Sequence, residues 1–200
     1  MRGLAPAGGW AVASALLAAT VPAVAQAPAR PPAPPLFDLF ESVCLQTRGD
    51  IDRVQAAPEL RAWSRFPIPV PIPASKFKVR RKLVMGEGYA EKKTAILLAA
   101  QGDFNLGGRT APGRICSVYL KGAEDPARTL RAAQTWAGLP GVTSGKKTSF
   151  RFQEVGGRRV PVGAGRMAEV AARLGSGPVI EVDATPEQDR TMLVYTLINL

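Results

Sequence analysis

Three short stretches carry residue types at spacings that chemistry uses. Gly163-Ala164-Gly165-Arg166-Met167-Ala168 fits the dinucleotide pattern G-x-G-x-x-A, whose glycines let the backbone close on a pyrophosphate. Glu181 and Asp183 follow at about the spacing of a ribose contact. The strand before it, residues 158–162, contains Pro161 and reads as a hairpin arm. There is one such unit, with no second half to complete a nucleotide crevice. A turn into a short helix accounts for the glycines, so no nucleotide is expected. Gly145-Lys146-Lys147-Thr148 lacks the first glycine of a phosphate-binding loop and has Lys where magnesium needs Ser or Thr. Ser144-Gly145-Lys146-Lys147 satisfies S-x-x-K, and Lys147-Thr148-Ser149 is close to K-T-G, the pair used by penicillin-binding enzymes. That chemistry puts the two elements on a helix and a distant strand, whereas here they overlap in one glycine-rich turn. Ser75 and Lys78 match S-x-x-K as well, which shows how readily it arises by chance.

Metal and acid–base chemistry find little footing. The chain has no histidine, so a metal would need carboxylates alone. Glu181, Asp183, Glu187 and Asp189 cluster near the last turn without the spacing of a calcium loop, and a solvated turn explains them. Paired carboxylates can hydrolyse a glycoside, but 16 acidic residues and 6% aromatics give little sign of a sugar-stacking cleft. No catalytic residue, cofactor or metal is assigned, and a hydrolase is the least favoured function class.

The N-terminus has the three parts of a secretory signal. Arg2 is the only charge in residues 1–25, an apolar run covers residues 10–21, and Ala23-Val24-Ala25 offers small residues for cleavage. A spanning helix needs about 20 apolar residues; this run is shorter and is interrupted by Pro22. The expected layout is a signal peptide over residues 1–25, cut by a Sec-type route near Ala25, and a Pro/Ala spacer over 26–35. One domain follows over 36–200, periplasmic or secreted, with no transmembrane segment in the mature chain. Export settles how to read Cys44 and Cys116, the two cysteines. A thiolate nucleophile would lack its usual histidine base, and the separation is far from C-x-x-C, so one disulfide is expected in an oxidising compartment.

Lysine and arginine number 26 against 16 aspartate and glutamate, a net charge of +10. Such an imbalance favours anionic partners. The densest block is Lys76, Lys78, Arg80, Arg81 and Lys82, interleaved with Phe77, Val79 and Leu83. A strand there would show a basic outer face, a candidate anion-binding surface, over an apolar inner one. Edge protection is the plainer account, because lysine and arginine keep a sheet edge from pairing with another chain.

The elements that must carry these residues follow from periodicity. Leu36, Phe37, Leu39, Phe40, Val43 and Cys44 recur at helical spacing over residues 36–47, and Asp50 can cap a second helix with Ile51 and Val54 inside. Residues 66–73, FPIPVPIP, must be an extended edge or loop because proline lacks the amide donor. Strands are expected over 76–84, over 94–100 with apolar residues on both faces, and over 115–121. In the last, Cys116, Val118 and Leu120 share one face, which would let Cys116 reach Cys44 and staple helix to sheet. Asp125-Pro126 opens the clearest helix and Gly138 ends it. Strands over 148–155 and 158–162 flank Gly156-Gly157 as a hairpin. A short helix covers about 168–174, and a closing strand pair, 179–183 and 190–198, turns near Pro186. The class is α+β: a largely antiparallel sheet with two N-terminal helices and one or two more packed on it.

Phe40-x-x-x-Cys44, Ala62-Trp63, the strand bearing Cys116 and Met192-Leu193-Val194-Tyr195 together resemble small exported proteins of unassigned function of alphaproteobacterial type. The resemblance implies a periplasmic α+β domain with one disulfide and brings no catalytic residues; those proteins more often have Gly before the tryptophan and lack the proline-alternating segment. The expectation is an exported, non-catalytic protein that binds an envelope component, such as a protein, lipid headgroup or polysaccharide, through its basic face. The alternative is an inhibitor or accessory protein of an exported enzyme, touching it through residues 66–73 or the loop expected at 107–114.

Overall fold

In the computed structural model the described residues are 36–65, 76–87, 95–121, 125–163, 177–187 and 190–200. The expected signal peptide, the spacer, the proline-alternating segment at 66–73 and the helix at 168–174 lie outside them. All the described residues belong to one unit, Pro34–Leu200, and no helix among them is long and apolar enough to cross a membrane.

Nine strands among the described residues form one antiparallel sheet: β1 Ser64–Arg65, β2 Phe77–Glu87, β3 Ala95–Asn105, β4 Thr110–Lys121, β5 Val142–Ser144, β6 Lys147–Val155, β7 Arg158–Pro161, β8 Val179–Glu187 and β9 Arg190–Ile198. Their order is β1-β2-β3-β4-β9-β8-β6-β5, with β7 also pairing β6. Strands successive in the chain are mostly neighbours, as short hairpins dictate. Gly156 and Gly157, at φ 55° and 76°, make the tight β6–β7 turn, where two left-handed residues match the twist of the strands. The S-x-x-K and K-T-G look-alikes fall on the β5–β6 hairpin, with Gly145 at φ 59° in its turn. Arg158–Pro161 is a hairpin arm, and Gly163 is exposed just beyond it.

The helices lie on one face. Helix α1, Leu36–Phe40, continues in wider π geometry over Glu41–Leu45. The Asp50 carboxylate accepts from the Asp52 and Arg53 amides to start α2, Ile51–Gln55, and Pro58–Leu60 adds a 3₁₀ turn. Helix α3, Pro126–Ala137, is capped by the Asp125 carboxylate on the Ala127 amide and ends at Gly138, φ 68°. Contacts set α2 over β2 and β3, α1 over β4, and α3 over β6 and β8. The core between the layers includes Leu36 and Phe40 from α1, Val43 from the π segment that continues it, Ala133 and Ala137 from α3, and Leu97, Val118, Phe150, Phe152, Val182 and Leu193 from the sheet. Each large apolar side chain fully buried there contributes about 1.5–3 kcal/mol. On the opposite face Phe104, Ala111, Ile115, Val194 and Ile198 form a second, smaller cluster.

Cys44 and Cys116 pair as expected, with Cα atoms 5.4 Å apart and both residues wholly buried. The pair ties the first helical segment to the middle of β4.

Three details differ from the expectation. A bulge between Val79 and Arg81 shifts the β2–β3 register, so Phe77 packs on Phe104 of the second cluster, Leu83 joins the main core and Val79 is 38% exposed. A strand with one extra residue cannot keep a single alternation. Second, Thr110 begins β4, so the loop expected at 107–114 shrinks to a tight connection after Asn105. There Gly107 and Gly108 take φ 73° and 97°, and the Asn105 carboxamide accepts from the Gly108 amide. Third, Pro186 sits within β8 opposite Thr191 and marks no turn. β6 pairs β8 no further than Ala184, so no partner there needs the amide that proline lacks.

Candidate functional site

The five basic residues of the block are brought together along β2 without sharing a face. Arg80 and Arg81, at the bulge, both reach the helix-bearing side: Arg80 pairs with Asp103 at 2.8 Å, and Arg81 grips Asp52 through two bonds of 2.7 and 3.2 Å. The Arg81 guanidinium holds the Asp52 carboxyl below its ordinary pKa. Lys82 stands opposite Ala100, on the other face from Arg81 opposite Gln101. Lys76, Lys78 and Lys82 are exposed and pair with no carboxylate among the described residues. β1 covers only Met85 and Gly86, so among the described residues 77–84 have no strand on that edge.

Beside the two arginines lies a hollow of about 400 Å³ whose lining includes Asp50, Asp52, Arg80, Arg81, Gln101 and Arg114. Arg114 pairs with Asp50 at 3.2 Å, the same carboxylate that caps α2. Each of these arginines is therefore matched by an aspartate, and the hollow presents little net charge.

A smaller cavity of about 280 Å³ opens where the ends of α1 and α3 converge over the sheet; its walls are Leu45, Gln46, Arg48, Trp136, Glu154, Arg159, Ile180 and Tyr195. The first segment closes with the Gly49 amide on the Cys44 carbonyl at 3.0 Å. Arg48, at φ 53°, is the one non-glycine residue with positive φ among those described. Its guanidinium meets Glu154 on β6 at 2.9 Å. Arg159 lies 4.2 Å above the Trp136 ring and 4.9 Å from that of Phe152, and donates to the Trp136 carbonyl. A cation stacked on an aromatic face and set against a helix C-terminus is doubly favoured. Tyr195 is 2% exposed. Burial is the main cause that pushes its hydroxyl up to about 12, against the pull of nearby Arg48.

On the face away from the helices, β6 and β8 carry a polar ladder. Arg151 holds Glu181 through bonds of 2.8 and 3.1 Å, while Asp183 accepts from Ser149 at 2.6 Å and from Lys147 at 3.1 Å. Burial, helped by the Glu181 charge, raises the Asp183 pKa. These are two of the four carboxylates noted in the sequence, and each is engaged by a cation. Among the described residues no group of three or more metal-binding side chains occurs.

The sequence reading missed the small cavity altogether. Arg48 and Glu154 are 106 residues apart, and nothing local announces that pairing. The only hints were the Arg48-Gly49 helix stop and the tryptophan at the end of α3. Compared with known proteins, the chain matches no family model, no curated protein and no solved structure.

Proposed function

We propose that this is an exported, non-catalytic binding protein that takes an anionic envelope partner along the lysine-bearing edge of β2. The observation that carries the reading is the division of labour within the basic block. Arg80 and Arg81 are committed to Asp103 and Asp52, whereas Lys76, Lys78 and Lys82 are exposed without a described counter-ion. Their positive field is free to act outside the molecule, on a chain whose net charge is +10. The surface is a rim straddling the sheet edge, which suits a broad anionic surface better than a small ligand. The same lysines keep that edge from adding a foreign strand.

Binding to vesicles of anionic phosphatidylglycerol, with phosphatidylcholine vesicles as the neutral control, tests it. At about 1 kcal/mol per lysine near such a surface, changing all three lysines to Gln should weaken binding roughly a hundredfold. Equal binding by wild type and the triple variant, or by the two vesicle types, would overturn the reading.

A further inference from the structure

We propose that the cavity between the ends of α1 and α3 binds a small monocarboxylate with a short apolar stem. This goes beyond the lysine edge and stands independently of it, because it rests on different residues.

The first ground is an excess of donors. Arg48 spends one nitrogen on Glu154, and Arg159 spends one on the Trp136 carbonyl. A guanidinium carries five N–H donors, so most of theirs have no acceptor among the described residues. The Tyr195 side chain, almost wholly buried, lines the same cavity.

Charge and size then narrow the ligand. Two guanidinium groups face one carboxylate, that of Glu154, leaving one positive charge for a monoanion to balance. A planar carboxylate matches the guanidinium fork better than a spherical ion does. Leu45 and Ile180 add apolar wall, which suits a hydrocarbon stem. About 280 Å³ is at the small end for ligand sites, so the stem is short.

The backbone at Arg48 points the same way. Glycine is the default at positive φ, because the Cβ of any other L-residue crowds its own backbone there; the chain nonetheless keeps arginine at φ 53°, with its side chain on the cavity. Strained residues cluster where a side chain has a task.

Benzoate is a suitable probe and benzamide its neutral isostere, with binding followed by NMR on the full chain through the Trp136 indole N–H. Expected is a saturable shift with benzoate, a dissociation constant of about 1 mM or tighter, and none with benzamide. Tyr195→Phe removes a hydroxyl from the cavity wall and keeps the buried ring, so it should fold normally and bind benzoate about tenfold more weakly, the worth of one hydrogen bond to a charged group. Should that variant fail to fold, Arg159→Gln on the exposed β7 carries the same expectation. The triple lysine variant should bind benzoate like wild type, so failure of the lysine edge and failure of this cavity are distinguishable. A non-saturating shift, equal binding of benzamide, or unchanged affinity in Tyr195→Phe would overturn the proposal.

Discussion

Removing the Cys44–Cys116 bridge should cost a large part of the protein's stability. The bridged residues are 72 apart, and closing a loop of that length lowers the entropy of the unfolded chain by an amount worth about 4 kcal/mol at room temperature. Domains of this kind are stable by about 5–15 kcal/mol, so the loss is severe. Both cysteines are 0% exposed, which makes alanine a better probe than serine, because serine would bring an unpartnered hydroxyl into the core. The assay is urea unfolding of the wild type, oxidised and reduced, beside Cys44→Ala/Cys116→Ala. The oxidised wild type should unfold at a markedly higher urea midpoint than the other two, which should agree within about 1 kcal/mol once the packing loss of the two sulfurs is counted. Reduction that leaves the midpoint unchanged would refute the loop-closure reasoning.

Other perturbations isolate single features. Arg48→Gly relieves about 1 kcal/mol of left-handed strain and forfeits an ion pair whose side chains are 41% and 33% exposed, worth about 0–1 kcal/mol. It should therefore be close to neutral in urea melts, while Arg48→Val, which keeps the strain and loses the pair, should cost about 1–2 kcal/mol; equal melts for the two would show that the backbone there is unstrained. A methyl at Gly113 would meet the Phe104 ring at 2.5 Å and the Leu197 carbonyl at 2.6 Å, so Gly113→Ala should destabilise by about 1–3 kcal/mol, and a thermal melt within error of wild type would contradict that packing. Because the Asp183 pKa is raised in the fold, its contribution is fully present below the unfolded value of 3.8 and is lost as pH rises through the folded value. Stability against pH should then fall less across that window in Asp183→Asn than in wild type, and parallel curves would deny that burial strains this carboxylate.

Much of the layout was legible because local signals and the global fold agree. Asp125-Pro126 and Gly138 bound α3 as capping chemistry requires, Asp50 caps α2, and Gly156-Gly157 makes its hairpin. The alternation that put Cys116 on the inner face of β4 was enough to bring it to Cys44. What the sequence hid was non-local. The bulge at Val79–Arg81 depends on how β2 meets β3, not on β2 alone, and it is what divides the basic block. Pro186 looked like a turn because proline usually breaks strands, yet beyond the end of β6 it does no harm. The small cavity joins residues from both helical ends and from four strands, β6 to β9. Only tertiary packing creates it.

The measurement that bears most directly on the proposed role is the affinity for phosphatidylglycerol vesicles as salt is raised. Between about 0.1 M and 1 M the screening length falls from roughly 10 Å to 3 Å. A partner held by the free lysines of β2 should be released over that range, and the variant with Lys76, Lys78 and Lys82 changed to Gln should show weaker binding with a shallower salt dependence. Wild-type binding that persists unchanged across the range, or a triple variant with the wild-type salt dependence, would contradict it.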